Sequence, residues 1–134
     1  MAIIYSEKGN FLLLRTNPKW MNVDVWFIVT GSIEKGESDE EAVRREIKEE
    51  TSLEIIEIKP TNYSCKYESP KGRWNNEKAF LVKVKESKPE LSGEHIDYKW
   101  LNKEDFIKDI AWDEKIDSKD NLISILDRFL YVNN

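Results

Sequence analysis

Apolar and polar residues alternate in short blocks along the chain, and these blocks predict its secondary structure. Seven β-prone runs are separated by polar or glycine-containing segments, at residues 2–5, 11–15, 25–29, 53–58, 63–67, 78–84 and 99–101. Residues 6–10 are expected to form a hairpin turn between the first two strands, and residues 69–72 a turn between the fifth and sixth. The sequence therefore predicts a sheet built from short strands.

Helical spacing of apolar residues and one capping signal predict three helices. Ser38 and Glu41 match a capping box, so the first helix is expected from about residue 39 to residue 50 or 51. The other two are expected at residues 104–110 and 119–131. The last helix has an apolar side formed by Leu122, Ile125, Leu126 and Phe129. We expect that side to pack on the sheet, with a partner-binding groove as the alternative. The predicted fold class is α/β, a mixed sheet covered by helices on two faces.

The first predicted helix gathers three carboxylates on one side. At about 100° per residue, Glu46, Glu49 and Glu50 lie within an arc of roughly 100°, and Val43 and Ile47 form an adjoining apolar stripe. Like charges at this spacing repel each other, so the cluster needs compensating charge. A divalent cation supplies it, and Mg²⁺ prefers such oxygen ligands, with Mn²⁺ also possible. The alternative is a solvated acidic face in a chain with 35% charged residues.

The residues around this helix resemble the Nudix box. That pattern is Gly, five residues, Glu, seven residues, Arg-Glu, an aliphatic residue, any residue, Glu-Glu, any residue, Gly and an aliphatic residue. The matching residues are Gly31, Glu37, Arg45, Glu46, Ile47, Glu49, Glu50 and Leu53. Ser52 stands where glycine is usual, just after the helix, so the departure concerns the local turn rather than the carboxylates.

The resemblance implies a Nudix α/β/α sandwich with a mixed central sheet, in one domain over residues 1–134. It implies a hydrolase that uses a divalent metal and water to cleave a nucleoside diphosphate linked to another group. By that resemblance Glu46 and Glu50 are metal ligands, and Glu49 is a further ligand or a catalytic group that positions water. Arg45 and Glu37 correspond to a supporting pair, in which the arginine braces the loop and orients the carboxylates.

Two segments outside the box are similar to the dihydroneopterin triphosphate pyrophosphohydrolase branch of that family. They are residues 26–32, Trp-Phe-Ile-Val-Thr-Gly-Ser, and residues 94–101, Glu-His-Ile-Asp-Tyr-Lys-Trp-Leu. The resemblance implies that Glu94 completes the metal site or acts as the general base. The neighbouring His95 is expected to be a structural, hydrogen-bonded histidine. Substrate contacts are expected from Arg15, Trp26 and Gly31, with Arg15 on a phosphate.

The amino-acid composition limits which cellular compartment and which binding partners we expect for this protein. A chain of 134 residues is long enough for one domain with its own core, and the single cysteine, Cys65, excludes an internal disulfide. The net charge of −5 disfavours nucleic acid polymers, whereas a small phosphorylated substrate stays compatible because a metal neutralises it locally. No sustained apolar run is present, so we expect no membrane contact and a cytoplasmic location. Monomer and homodimer both stay open.

The expected function is that of an Mg²⁺-dependent pyrophosphohydrolase acting on a nucleoside triphosphate or a related compound, with dihydroneopterin triphosphate as one candidate. Diadenosine tetraphosphate and ADP-ribose stay open as substrates. A Nudix-fold sensor that binds a nucleotide without cleaving it is the alternative class, because a fold alone does not imply catalysis. The intact carboxylates Glu46, Glu49 and Glu50 favour the enzyme.

Overall fold

The computed structural model describes residues 1–68, 72, 74–112 and 118–130. Within these residues, six strands and four helices follow one another along the chain. They are β1 (Ala2–Ser6), β2 (Phe11–Thr16), α1 (Pro18–Met21), β3 (Trp26–Phe27), α2 (Asp39–Thr51), β4 (Ile55–Glu68), β5 (Trp74–Val84), β6 (His95–Leu101), α3 (Lys103–Asp109) and α4 (Lys119–Leu130). The predicted turn at residues 69–72, apart from Gly72, and the predicted helix end at Tyr131 lie outside the described residues.

The strands form one mixed sheet, as predicted. Its order is β3-β2-β1-β5-β4, with β6 paired to β2 as well. β1 runs parallel to β5, and the other paired strands run antiparallel. Leu14 of β2 pairs with Phe27 of β3 and with Tyr98 of β6, so at this end β2 lies between those two strands.

Alternate residues of the central strands point to opposite faces of the sheet, and each face is covered by helices. On one face, Ile3 belongs to the same buried cluster as Phe106 of α3 and Leu126 of α4. On the other face, Ile4 is buried with Ile47 of α2. Full burial of such a side chain contributes about 1.5–3 kcal/mol, so each face holds a substantial core. The predicted α/β/α sandwich is confirmed.

The segment expected to hold two strands, at residues 53–58 and 63–67, forms the single strand β4 of 14 residues. Its middle, Pro60-Thr61-Asn62, suggests a break in the sequence because proline and asparagine disfavour strands. Pairing with β5 nevertheless continues on both sides, with a register shift between Pro60 and Ser64. The buried Thr61 hydroxyl donates to the carbonyl of Ala79 at 2.7 Å, which holds the irregular segment on the sheet.

The bounds of two further strands also differ from those predicted. β3 covers only Trp26–Phe27 of the expected 25–29, and Val29 forms an isolated bridge to Ala2. β6 begins at His95 rather than at residue 99, because β2 continues to pair with it as far as Thr16. Residues 95–98 of β6 join the sheet through backbone pairing, and a pattern of apolar residues does not reveal such pairing.

The short helix α1 is absent from the sequence prediction. Its start has a recognisable signal, since Asn17 caps the helix by accepting from the Lys19 N–H at 3.1 Å, and Pro18 occupies its first turn. Its end is a left-handed residue, Asn22, with φ of 61°. None of its residues is buried, so no amphipathic pattern marks it.

The helix α2 spans Asp39–Thr51, as predicted. The capping box is present, with the Glu41 N–H donating to the Ser38 hydroxyl at 3.1 Å and the Ser38 N–H donating to the Glu41 carboxylate at 3.3 Å. Ser52 ends the helix in the left-handed conformation, with φ of 56°. Val43 is buried against the sheet, which leaves the opposite side of α2 for its charged residues. Among the described helices, none combines the length and the apolar character needed to span a membrane.

Candidate active site

Arg45 lies at the centre of the polar network on α2. Its Nε and Nη2 donate to the two carboxylate oxygens of Glu37, at 2.7 and 3.1 Å. Nη2 also donates to the Ser32 carbonyl at 2.8 Å. Nη1 donates to Glu46 at 2.8 Å and to Glu49 at 3.3 Å. One planar guanidinium therefore ties the loop before α2 to two carboxylates of the helix.

These contacts keep Glu37 and Arg45 in their charged forms. The hydrogen bond from Arg45 is the main cause that lowers the pKa of Glu37, and the Glu34 N–H, at 2.9 Å, lowers it further. In return, the hydrogen bond to Glu37 is the main cause that raises the pKa of Arg45. The ion pair between Arg45 and Glu37 therefore holds the loop before α2 in place.

Glu46 fits closely against Gly31. A Cβ at position 31 would overlap Cδ of Glu46, so glycine leaves the space that this carboxyl group occupies. The Glu46 side chain is only 16% exposed. Burial raises the pKa of Glu46 despite the opposing effect of Arg45, and the charges of Glu49 and Glu50 add to the rise. A further positive charge beside this carboxyl group would favour its ionised form.

Glu50 is buried and held by a different set of groups. The Ser92 hydroxyl donates to its Oε2 at 2.5 Å, and Nδ1 of His95 lies 2.9 Å from the same oxygen. Since a carboxylate only accepts, the imidazole carries a proton on Nδ1. Burial raises the pKa of Glu50, but the hydrogen bonds from His95 and Ser92 outweigh it, and the net pKa is lowered. Glu50 is thus an ionised carboxylate with a relative exposure of 6%.

Glu94 lies in the turn directly before β6, as the sequence predicts. Its backbone N–H donates to the Ser92 hydroxyl at 3.3 Å, and its side chain forms a hydrogen bond with Glu50 that also lowers the pKa of Glu50. Two neighbouring carboxylates repel each other, and a cation between them would relieve that repulsion. The structure therefore brings Glu94 and Glu50 together from distant parts of the chain.

The carboxylates of α2 do not all point the same way. Glu46 turns towards Gly31 and Arg45, Glu50 turns towards Ser92, and Glu49 is 55% exposed. Over the described ranges, no group of three or more His, Cys, Asp and Glu side chains is arranged to hold a metal ion. The donor set fits Mg²⁺ or Mn²⁺ chemically, because it consists of oxygens. Because residue 31 is glycine, the Glu46 carboxyl group has room beside the loop.

A cavity of about 370 Å³ opens beside Glu46. Its walls come from the loop after β3, the first two turns of α2, β5 and the start of β1. Gly31 and Glu46 line one side, and Glu77 and Lys78 line another. The volume lies within the range of about 300–1,000 Å³ found for small-molecule sites.

Two residues predicted to contact substrate lie apart from this cavity. Arg15 donates from Nε and Nη2 to the carboxylate of Asp24, at 2.8 and 2.7 Å, on the exposed end of β2. Trp26 packs against the buried cluster beneath α3 and α4, with the Lys99 ammonium 4.2 Å from its ring centroid. Neither lines the cavity, whereas Gly31 does. The structure therefore brings together Gly31, Glu37, Arg45 and Glu46, and separately Glu50 and Glu94.

Ser92 and Glu77 are site residues that the sequence reasoning missed. Ser92 acts on Glu50 across 42 positions of sequence, and only its closeness to Glu94 and His95 pointed towards it. Glu77 accepts from the Gly31 N–H at 3.3 Å and lies in the part of β5 that precedes the predicted strand 78–84. The expected hydrogen-bonding role of His95 is present, with Glu50 as its partner.

Comparison with known proteins fits this architecture. A NUDIX domain model matches residues 1–120, so the chain belongs to the Nudix family of hydrolases. The predicted family is confirmed.

Relatives within the family include enzymes of two named activities. The dihydroneopterin triphosphate diphosphatase of Escherichia coli K12 is 28% identical over 118 residues, spanning 76% of this chain and 75% of the relative. The structure of the E. coli dihydroneopterin triphosphate pyrophosphohydrolase aligns with a TM-score of 0.71 and 22% identity, covering 92% of each chain. A C. elegans Ap4A hydrolase binary complex aligns with a TM-score of 0.70 and 26% identity, covering 96% of this chain and 97% of that one.

Proposed function

We propose that this chain is an Mg²⁺-dependent pyrophosphohydrolase that cleaves the diphosphate linkage of a nucleoside triphosphate or a related compound. Dihydroneopterin triphosphate is the first candidate substrate, supported by the similarity to the E. coli enzyme and by residues 26–32 and 94–101. Mn²⁺ is the expected substitute cation. The fold, the cavity beside Glu46 and the buried Glu50 support the same reading.

The observation that carries the proposal is the state of Glu50. It is a buried carboxylate kept ionised by Ser92 and His95, on a helix whose neighbouring carboxylates repel it. A largely buried carboxylate that specific donors keep ionised, next to other carboxylates, is typical of a functional site. A solvated acidic face needs none of these contacts. A cation is the ligand that matches an oxygen-only donor set.

In this proposal Glu46, Glu50 and Glu94 hold the cation, with Glu49 or Glu94 accepting the proton of the attacking water. When bound there, Mg²⁺ supplies positive charge for the phosphate oxygens and lowers the pKa of a bound water. The other side chains of the site hold the loop and the carboxylates in position. Arg45 and Glu37 hold the loop that carries Gly31 against α2, and Ser92 with His95 fixes the Glu50 carboxylate. Positioning and charge neutralisation are the main sources of catalysis in phosphoryl chemistry.

The test is a substrate panel with a matched pair of variants. Dihydroneopterin triphosphate, nucleoside triphosphates, diadenosine tetraphosphate and ADP-ribose are incubated with the protein and Mg²⁺, with Mn²⁺, or with a chelator, and products are separated by chromatography. We expect pyrophosphate release that requires the cation. Glu50→Gln should lower kcat by about 100-fold or more, because a neutral amide is a poor cation ligand. The exposed Glu54, four positions further along the chain, provides the control Glu54→Gln, which should retain activity within about twofold.

The outcomes separate the hypotheses. Cleavage of diadenosine tetraphosphate or ADP-ribose alone keeps the hydrolase and replaces the substrate. Binding across the panel without cleavage favours a sensor. Near-normal turnover by a folded Glu50→Gln protein removes Glu50 from the cation site.

A further inference from the structure

Glu77 on β5 faces the cavity beside Glu46 and takes no part in the proposed hydrolysis. Its Oε1 accepts from the Gly31 N–H at 3.3 Å and lies 3.4 Å from the Met1 nitrogen. The Glu77 side chain is only 12% exposed. The carboxylate is therefore held in a defined position where β5 extends beyond the start of β1.

Apolar side chains form part of the cavity wall around Glu77. Phe80, Val29 and Val43 supply apolar surface, and Glu77 lies among them as a hydrogen-bond acceptor. Small-molecule sites combine such walls with a few placed polar groups that fix orientation. Since Glu46 lines the same cavity, a ring bound there has its phosphates within reach of the proposed cation site.

We infer that this cavity binds the heterocycle of the substrate and that Glu77 recognises a 2-amino-4-oxo edge. This inference rests on the proposed function and specifies its substrate class. A ring N–H beside an exocyclic amino group offers two parallel donors, which match the two oxygens of a carboxylate. Guanine and pterin rings both present that edge, whereas hypoxanthine lacks the amino group. A carboxylate has about four acceptor positions, so one group can serve the Gly31 N–H, the Met1 ammonium and a ligand together.

The opposing charges at the cavity rim fit this arrangement. Lys78, the next residue of β5, forms an ion pair with Asp39 in the first turn of α2, with Nζ and Oδ2 2.9 Å apart. The pair joins β5 to α2 across the rim while remaining mostly exposed at the lysine. An exposed pair of this kind contributes little stability and exchanges partners readily. Lys78 can therefore turn to a phosphate of the ligand that Glu77 holds.

The test measures binding in the absence of a divalent cation, so that it does not depend on hydrolysis. Calorimetry with GTP, inosine triphosphate and dihydroneopterin triphosphate compares rings with and without the amino group. We expect GTP or dihydroneopterin triphosphate to bind at least about tenfold more tightly than inosine triphosphate. The tighter of the two identifies whether the ring is a purine or a pterin.

Glu77→Gln is the decisive variant. The amide oxygen can still accept from the Gly31 N–H, but the amide nitrogen opposes the donors of the ligand. We expect the variant to bind the three compounds with affinities within about threefold of each other. Glu57→Gln, on the neighbouring strand β4 and outside the cavity, is the control and should keep the wild-type preference.

Two results would overturn the inference. The first is equal binding of inosine triphosphate by the wild-type protein, which needs no variant at all. The second is an unchanged preference in a folded Glu77→Gln protein. A wild-type protein that shows the preference yet cleaves none of the three compounds would instead contradict the proposed hydrolase and leave the recognition site standing.

Discussion

Glu46 and Glu50 lie one helical turn apart on α2 and are held in opposite ways. Glu46 is bound by Arg45, the adjacent residue, and the pKa of Glu46 is raised. Glu50 is bound by Ser92, which precedes β6, and by His95, the first residue of β6, and its pKa is lowered. Both side chains are largely buried. The kind and number of donors, rather than burial alone, therefore decide the direction in which the pKa of each carboxyl group shifts.

The comparison also separates local from long-range support. The contacts that hold Glu46 come from residues 31–49, which are close in sequence and include Arg45 with its partner Glu37. The Glu50 side depends on residues 42 and 45 positions away. Disrupting one support at a time should therefore affect the two carboxylates independently.

The largest effect is expected from Arg45→Lys, which removes the guanidinium contacts that hold Glu46. Lysine keeps the charge but cannot donate to Glu37, Ser32 and Glu46 together. We expect kcat/KM to fall by about 100-fold, measured by steady-state hydrolysis of the best substrate from the panel. Arg44→Lys is the matched control, because Arg44 is exposed and pairs only loosely with Glu40, at 3.8 Å. Equal effects of the two substitutions would contradict a special role for the guanidinium of Arg45.

A smaller effect is expected from Ser92→Ala on the Glu50 side. Loss of the hydroxyl removes one of the hydrogen bonds that lower the pKa of Glu50, so that pKa rises. Glu50 then takes up its proton at a higher pH, and activity is lost at a higher pH on the acid side of the profile. We expect kcat/KM to fall by about tenfold at neutral pH, as for other groups that orient a metal ligand. The pH profile of kcat/KM is the measurement.

Ser87→Ala controls for the Ser92 substitution, because Ser87 is an exposed serine in the same connection between β5 and β6. It should leave the acid side of the profile in place. An unshifted profile in Ser92→Ala would mean that His95 alone sets the charge of Glu50.

The smallest effect is expected from Ser52→Gly at the end of α2. Ser52 has a φ of 56°, a conformation that glycine adopts without the cost of a side chain. The gain is partly offset by the greater freedom of glycine in the unfolded chain. We expect the free energy of unfolding to rise by about 0.5 kcal/mol, measured by urea titration, with kcat unchanged.

Asn22→Gly is the comparison for Ser52→Gly, since Asn22 has a φ of 61° but asparagine tolerates this conformation better. Its gain should be smaller. A change in kcat for Ser52→Gly would show that the backbone at the helix end, and not only Ser92 and His95, determines where Glu50 points.

The fold was predictable where structure is local. The capping box and the apolar stripe of α2 both depend on residues in or next to one helix, and the hairpin of β1 and β2 depends on the short turn at residues 7–10. The continuous strand β4 was not predictable, because Pro60 and Asn62 disfavour a strand and only pairing with β5 overrides them. The first helix, α1, has capping residues but no buried face to mark it.

The residues of the candidate site also divide into those that the sequence predicted and those that it did not. Helical spacing pointed to the carboxylates of α2, and the family resemblance added Arg45 and Glu37 from the same segment. Glu94 was found only through family resemblance. The donors to Glu50 and the position of Glu77 depend on which strands become neighbours, and periodicity carries no information on that. The bond between Arg15 and Asp24 likewise follows from the path of the chain through α1.

The parallel pairing of β1 with β5 has a consequence for the order of assembly during synthesis. β1 pairs with residues 80–84, nearly eighty positions later, so the central pairing of the sheet must wait until β5 has emerged. Ser92 and His95 follow β5 in the chain. A nascent chain ending at Val84 therefore contains Arg45 and Glu37 but lacks Ser92 and His95, which hold Glu50. The candidate site is complete only after the residues that follow Val84 have been synthesised.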